Sequence, residues 1–200
     1  MTTVVLATRN TGKLREFRAL IDGWSGLQGI RIVDVSEFPD VQDVVESGVT
    51  FEENATLKAR AVAEATGLPA IADDSGLSVD VLGGCPGVFS ARWAGTHGAD
   101  QANIDLLLAQ TMDVTATMAA HFVCCMVLAL PGGAERVRRG ELHGTITRNQ
   151  RGTDGFGYDP IFELPDGRTL AQLPAQEKNE ISHRAIAMRA IREDLGGTLT

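Results

Sequence analysis

Apolar and polar residues follow one another along the chain in blocks that are typical of alternating strands and helices. Two short apolar blocks, Val4–Ala7 and Ala70–Ala72, predict buried strands. The longer apolar block Ala119–Leu130 predicts a central strand covered on both faces. Elsewhere apolar residues recur at helical spacing, for example after the polar loop Thr8–Lys13. Together these patterns predict an α/β fold.

The clearest helix signal begins at Thr50. Thr50 followed three residues later by Glu53 forms a capping box, which predicts Phe51 as the first helical residue. Gly67 suits the left-handed residue that ends many helices, and Pro69 cannot continue the helix. The predicted buried stripe of this helix contains Phe51, Ala55, Ala59, Val62 and Ala63.

Two adjacent carboxylates, Asp73 and Asp74, follow the predicted strand Ala70–Ala72. In a regular strand they point to opposite faces, whereas a bend would bring both to one metal ion. Mg²⁺ takes oxygen ligands of this kind, and Glu46 is a further candidate if its loop folds back over the strand end. Alternatively, the pair only stabilises a turn with the following Ser-Gly, because Asp is frequent in turns. The local sequence leaves both interpretations open.

The loop Thr8–Lys13 lies between a predicted strand and a predicted helix. Phosphates bind in such places because the helix N-terminus offers free N–H groups and the positive end of its dipole. A Walker A loop is excluded, since that pattern needs Gly where Ala7 stands and Ser or Thr where Leu14 stands. The alternative is a plain strand-to-helix turn with a solvated Lys13.

Two stretches near the C-terminus are candidates for recognising a ligand. Gly152–Pro160 places three glycines around two aromatic residues, which favours a loop that approaches a ligand closely and stacks a ring on it. Its alternative is a tight turn with a packed Phe. Ser182 is a good N-cap, so His183 and Arg184 are predicted in the first turn of a helix. Taken alone, such a His-Arg pair is usually surface.

Composition narrows the function and the compartment. We expect one domain over residues 1–200, since this length buries a sizeable core. The net charge of −8 argues against binding nucleic acid or an anionic membrane, but not against a small anionic ligand. Three cysteines without a CxxC pair fit a reducing cytoplasm. The start of the chain lacks the pattern of a signal peptide, and no apolar run is long enough to span a bilayer.

Five motifs in order make the chain recognisable. They are Thr8-x-Asn10-x-x-Lys13, Ser47-Gly48-x-Thr50-Phe51-x-Glu53-Asn54-Ala55-x-x-Lys58-Ala59, Ala72-Asp73-Asp74-Ser75-Gly76-Leu77, Gly155-Phe156-Gly157-Tyr158-Asp159-Pro160 and Glu177-Lys178-x-x-Ile181-Ser182-His183-Arg184. With them the chain resembles, over nearly its whole length, the inosine triphosphate pyrophosphatases, also called dITP/XTP or non-standard purine NTP pyrophosphatases. The resemblance implies an elongated, two-lobed α/β fold around a long mixed β-sheet with flanking helices, and an active site in the cleft between the lobes. It also implies a homodimer that needs Mg²⁺ and hydrolyses ITP, dITP and XTP to the monophosphate and pyrophosphate, which cleanses the nucleotide pool.

The resemblance further implies roles for individual residues. Asp74 is expected to be the general base for the attacking water and a Mg²⁺ ligand, with Asp73 and Glu46 as supporting acids at the metal. The expected phosphate and substrate contacts of the first half are Thr8, Arg9, Asn10, Thr11, Gly12, Lys13, Lys58 and Ser75. Phe156 is expected to stack on the base, with Gly157, Tyr158 and Asp159 completing that wall. Lys178, His183 and Arg184 are expected to read the purine, chiefly its 6-oxo group.

Two other functions compete with this reading. One is a Maf-like nucleotide pyrophosphatase with a different base preference, which a substrate panel separates from the first. The other is a nucleotide-binding sensor without catalysis. The acids Glu46, Asp73 and Asp74 argue against a sensor, because a mere binder of a polyanion gains little from added negative charge unless a metal is held. RNA binding is disfavoured by the acidic balance and the absence of a basic stripe.

Overall fold

The structure is a computed structural model that describes residues 2–22 and 29–199, a mixed β-sheet with flanking helices. The linker between the first helix and the second strand, apart from Gly29, lies outside the described residues. The strands are β1 (Thr2–Leu6), β2 (Ile30–Asp34), β3 (Ala70–Val79), β4 (Ala119–Ala129), β5 (Glu135–Ile146) and β6 (Phe162–Glu163). The helices are α1 (Thr11–Asp22), α2 (Phe51–Thr66), α3 (Asp100–Gln110), α4 (Ala175–Ile181) and α5 (His183–Leu199).

The sheet has the strand order β2-β1-β3-β4-β5-β6. β1 pairs in parallel with both β2 and β3, whereas β5 pairs antiparallel with β6, so the sheet is mixed. β4 is an interior strand, and ten of its residues are buried or half-buried. The predicted α/β class, mixed sheet and central strand are therefore confirmed. Within the described part of the chain, no helix combines the length and the apolarity needed to cross a membrane.

The helix that follows Thr50 forms as its sequence predicts. Thr50 Oγ1 accepts a hydrogen bond from Glu53 N at 3.1 Å, and the Glu53 carboxylate accepts one from Thr50 N in return. Gly67 ends α2 in the left-handed conformation with φ of 67°. The buried residues of α2 are the predicted stripe, to which the structure adds Asn54.

The prediction that a strand ends before Asp73 is wrong. β3 runs without interruption through Asp73, Asp74 and the following Ser-Gly to Val79. The turn interpretation of this stretch is therefore also wrong. The physical reason lies in the residues that follow, because the continuing strand buries Leu77 and Val79 fully in an apolar cluster.

The chain divides into two compact units, each with its own core. The first unit contains Met1–Asp74, Cys124–Gly140 and Arg184–Thr200. Its core joins β1, β3 and β4 to α1 and α5 through Val4, Leu6, Phe17, Ile71, Cys124, Met126, Ile191 and others. The second unit contains Ser75–Val123 and Glu141–His183, with a core that includes Leu77, Ile104, Phe122, Ile146, Phe162 and Leu170. The elongated shape and the cleft between lobes stay predictions.

Candidate active site

In the first unit, the loop after β1 presents the N-terminus of α1. Asn10 Oδ1 accepts a hydrogen bond from Lys13 N at 3.0 Å, which makes Asn10 the cap of the helix. Thr8 Oγ1 accepts from Asn10 N at 3.3 Å and so shapes the turn before the cap. Because of this cap α1 begins at Thr11, and Thr11, Gly12 and Lys13 belong to the helix rather than to the predicted loop. The N-terminus of α1 and the side chain of Lys13 therefore lie together, as in many anion sites.

Arg9 in this loop contacts protein groups. Its Nη2 donates to the carbonyl oxygen of Val41 at 2.7 Å, and its Nε lies 2.8 Å from Asp43 Oδ1. These contacts tie the β1–α1 loop to the segment that leads to Glu46. The predicted contact of Arg9 with substrate stays a prediction.

Asp73 is a buried carboxylate surrounded by cations. Lys13 Nζ lies 2.6 Å from Asp73 Oδ2 and Arg184 Nε lies 3.9 Å from the same oxygen, while Arg184 also forms an ion pair with Glu16. Burial by itself would raise the pKa of Asp73, but Lys13, Arg184 and Lys58 together hold that pKa below its ordinary value. Asp73 is therefore ionised at neutral pH.

Asp74 has different partners because adjacent residues of a strand point to opposite faces. Asn54 Nδ2 donates to Asp74 Oδ2 at 3.1 Å, and Lys58 Nζ lies 3.7 Å from Oδ1. Lys58 Nζ also donates to Glu46 Oε1 at 2.6 Å. Burial raises the pKa of Asp74 above its ordinary value, although Lys58 and Lys13 oppose the shift. Two neighbouring carboxyls with pKa values moved in opposite directions are typical of a site that assigns them separate roles.

The carboxylates also suit a hard divalent cation. Asp73 is buried with its Oδ2 2.6 Å from Lys13 Nζ, whereas Asp74 and Glu46 both face Lys58 Nζ, at 3.7 Å and 2.6 Å. Within residues 2–22 and 29–199 no group of three or more His, Cys, Asp or Glu side chains is placed to hold a metal, and the trio Glu46, Asp73 and Asp74 stays a prediction. Glu46 is joined to Asp74 through Lys58. Because Mg²⁺ is commonly held by one or two carboxylates and substrate phosphates, Asp74 and Glu46, which share Lys58, fit it, while Asp73 on the opposite face of β3 is a supporting acid.

In the second unit, hydrogen bonds connect the glycine-rich loop Gly152–Pro160 to neighbouring segments. Gly157 N donates to Asp100 Oδ2 at 2.7 Å, and the hydroxyl of buried Tyr158 donates to the carbonyl oxygen of Ser90 at 3.0 Å. Asp100 begins α3 but does not cap it by a hydrogen bond. These two hydrogen bonds connect the loop to the start of α3 and to Ser90.

Phe156 is more exposed than its neighbours Tyr158 and Asp159 in this loop. Its exposed fraction is 38%, while Tyr158 and Asp159 are buried. Asp159 Oδ2 accepts from Phe156 N at 2.9 Å and from Lys178 Nζ at 2.6 Å, and Lys178 Nζ lies 4.9 Å from the centre of the Phe156 ring. These contacts hold the ring from one side. The contact of Tyr158 and Asp159 with a base stays a prediction.

The C-terminal motif is divided between the two units. Lys178 lies inside α4, ahead of α5, and Ser182 separates the two helices. His183 is buried in the second unit, where its ring stacks on Phe122 with centroids 4.9 Å apart. Arg184 belongs to the first unit, where its contacts support Asp73. The expectation that this pair is merely surface is wrong, and the reading of the purine by Arg184 stays untested.

Two residues with a place in these networks were absent from the sequence-based candidates. Glu16 pairs with Arg184 and lies one turn after Lys13, a spacing that puts both on one face of α1. Asp100, the first residue of α3, accepts a hydrogen bond from the backbone N–H of Gly157. Half-buried Ser75 continues β3 beyond Asp74.

Comparison with known proteins identifies the family. The model of the Ham1 family matches residues 4–194. The chain belongs to the Ham1 family. Among curated relatives of this Ham1 protein, the dITP/XTP pyrophosphatases of Streptomyces avermitilis and Streptomyces coelicolor are 57% and 58% identical over 98% of this chain and 100% of their own length. The resemblance read from the five motifs is thereby confirmed.

Solved Ham1 structures share the fold. A HAM1 protein from Coxiella burnetii is 41% identical and superimposes with a TM-score of 0.89 over 99% of this chain and 100% of its own. A structure from Mycobacterium abscessus, described as a nucleoside-triphosphatase and dITP/XTP pyrophosphatase, is 44% identical with a TM-score of 0.79 over 95% of this chain and 97% of its own.

Proposed function

We propose that this Ham1 protein hydrolyses dITP, XTP and ITP to the nucleoside monophosphate and pyrophosphate, and so removes aberrant purine nucleotides from the nucleotide pool. The names of its relatives support the reaction. The observation that carries the proposal is the carboxyl pair of β3, in which Asp73 and Asp74 are both buried, have separate cationic partners and have oppositely shifted pKa values. A non-catalytic nucleotide sensor has no need of such a pair.

In this proposal the phosphate chain of the substrate contacts residues of the first unit. Lys13 at the start of α1 and Lys58 of α2 supply positive charge, and the N-terminus of α1 adds the positive end of its helix dipole. Each lysine now lies 2.6 Å from a carboxylate oxygen, on Asp73 and Glu46 respectively. A triphosphate would exchange these partners for its own oxygens.

Asp74 is the proposed general base. When the α–β phosphoanhydride bond breaks, the attacking water loses a proton, and Asp74 accepts it. The raised pKa of Asp74 suits this step, because a stronger base draws the proton more readily. Lys13 and Lys58 stabilise the charge that develops on the departing pyrophosphate.

Mg²⁺ is the proposed cofactor; Asp74 is its proposed ligand, with Glu46 and Asp73 as supporting acids. When bound, such an ion neutralises phosphate charge and makes a water easier to deprotonate. Asp74 and Glu46, which share Lys58 in the structure, would present carboxylate oxygens to such an ion.

In this proposal the purine base of the substrate contacts residues of the second unit. Phe156 offers a partly exposed ring for stacking, and the Lys178–Asp159 ion pair fixes its position. Lys178 and His183 are the proposed donors to the 6-oxo group, since polar readout discriminates between bases better than apolar fit does. We further propose that the protein is a cytoplasmic homodimer, and that its partners do not include nucleic acid.

The test replaces Asp74 by Asn and follows pyrophosphate release from dITP with and without Mg²⁺. We expect turnover to fall close to the limit of detection while the circular dichroism spectrum is unchanged, since Asn keeps the shape but cannot accept the proton. Asp113→Asn, at an exposed position of the second unit, is the matched control and should keep full turnover. Wild-type turnover in a folded Asp74→Asn variant would exclude Asp74 as the base.

A further inference from the structure

The fully buried side-chain amide of Asn54 links Asp74, the proposed general base, to the loop that carries Glu46. Asn54 has an exposed fraction of 0%. Its Oδ1 accepts a hydrogen bond from Gly48 N at 2.8 Å, and its Nδ2 donates to Asp74 Oδ2 at 3.1 Å. A side chain buried to this degree needs partners for both ends of its amide, and Asn54 has them.

The orientation of this amide follows from its partners. A backbone N–H only donates, so the atom facing Gly48 must be the carbonyl oxygen of Asn54. The NH₂ group is then turned toward Asp74, where a carboxylate accepts. The N–H of Gly48 thus determines which group of Asn54 faces the predicted base.

We infer that Asn54 is a positioning residue of the pyrophosphatase site, which aims the Asp74 carboxylate and couples it to the segment around Glu46. The inference rests on the proposed function. Hydrogen bonding at Oδ2 fixes the rotation of the carboxylate and so directs Oδ1 toward Lys58, 3.7 Å away. Partners of this kind, one step removed from the reacting atoms, typically change activity 10- to 100-fold when they are lost, about the effect expected here.

The close approach of the Gly48 backbone to Asn54 depends on the absence of a side chain at Gly48. A Cβ at this position would lie 2.6 Å from Glu53 Cβ and 2.8 Å from Asn54 Oδ1, both too close for real contacts. Any larger residue would therefore push the segment away from Asn54 and disturb the amide from its other end.

A merely structural role is the competing explanation, and the chain contains an example of it. Asn103 in the second unit has an exposed fraction of 1%, accepts from Ala94 N at 2.7 Å and donates to the carbonyl oxygen of Ala91 at 3.3 Å. Burial and bonding pattern match those of Asn54, but the acceptor is a backbone carbonyl instead of a predicted catalytic carboxylate. Asn103 is therefore a matched control.

The experiment compares Asn54→Asp with Asn103→Asp in steady-state hydrolysis of dITP. Each change keeps the oxygen that meets a backbone N–H and replaces the donor by an acceptor, so both should lower the urea midpoint. Only Asn54→Asp should lower kcat by about 10- to 100-fold with KM within about threefold of wild type. Equal kcat values in the two variants, or a rise of KM that accounts for the loss in Asn54→Asp, would overturn the inference.

Gly48→Ala tests the same coupling from the loop and decides the matter if Asn54→Asp does not fold. We expect it to lower kcat with little change in KM, and an unchanged kcat in folded Gly48→Ala contradicts the coupling. The wild-type chain separates the two levels of the argument. If it releases no pyrophosphate from dITP, XTP or ITP, the proposed function fails and the inference fails with it. If it is active and Asn54→Asp is equally active, only the inference fails.

Discussion

Replacing Lys178 by Met removes one partner of a buried ion pair in the second unit. The Lys178 and Asp159 side chains are 7% and 4% exposed, and Nζ lies 2.6 Å from Oδ2. The same ammonium lies 4.9 Å from the centre of the Phe156 ring. The substitution therefore leaves a buried carboxylate without its cation beneath the proposed base-stacking residue.

The magnitude follows from competing terms. At 2.6 Å and an effective dielectric constant of about 20, the attraction between the two charges is about 6 kcal/mol. Desolvation offsets most of it, since removing each ion from water costs several kcal/mol. Removing only Lys178 loses the attraction but keeps the desolvation of Asp159, so we expect a loss of about 3–5 kcal/mol in the free energy of unfolding. Removing both charges in Lys178→Met/Asp159→Asn should restore much of that loss.

The assay is urea unfolding of the wild type, the two single variants and the double variant. From these four we expect a coupling energy of about 2 kcal/mol or more between residues 159 and 178. Costs of the single variants that simply add, within about 0.5 kcal/mol, would refute the reasoning and show that the two charges do not depend on each other. A rise of KM for dITP in Lys178→Met is the functional readout, because Lys178 contacts the ring of Phe156.

Three further predictions concern α2, the cysteines and the link between Arg9 and Asp43. Thr50→Ala removes the hydrogen bond to Glu53 N and should lower the free energy of unfolding by about 1 kcal/mol, measured by urea unfolding. Burial raises the pKa of Cys125 to about 11, and that of buried Cys124 further, so a thiol reagent at pH 8 should label neither until the protein unfolds; prompt labelling would contradict the buried strand β4. Arg9→Gln should raise KM for dITP only modestly and change stability by less than about 1 kcal/mol, because its ion pair with Asp43 is exposed.

Local signals made part of the fold predictable. The capping box of Thr50 and the end of α2 at Gly67 depend on residues within a few positions of each other, and the structure has both as predicted. The extent of β3 did not follow from local sequence, because Asp-Asp-Ser-Gly resembles a turn and only the burial of Leu77 shows that the strand continues. Tertiary packing overrode the local preference at this point.

The candidate site was predictable in its residues but not in their pairings. The motifs contain Lys13, Asp73 and Arg184, yet no spacing in the sequence indicates that all three meet. The pair of Arg184 with Glu16 joins residues 168 positions apart. Such contacts depend on the order of strands in the sheet, which the sequence patterns of single elements do not specify.

The central claim is tested most directly by steady-state hydrolysis of dITP, XTP, dGTP and dATP, with pyrophosphate and phosphate assayed separately and Mg²⁺ present or removed by a chelator. The account predicts Mg²⁺-dependent release of pyrophosphate from dITP and XTP, with little from the other two. A Maf-like activity would instead appear on a pyrimidine substrate added to the panel. Release of phosphate instead of pyrophosphate, or equal rates on all four purine nucleotides, would contradict the proposed reaction or its selectivity.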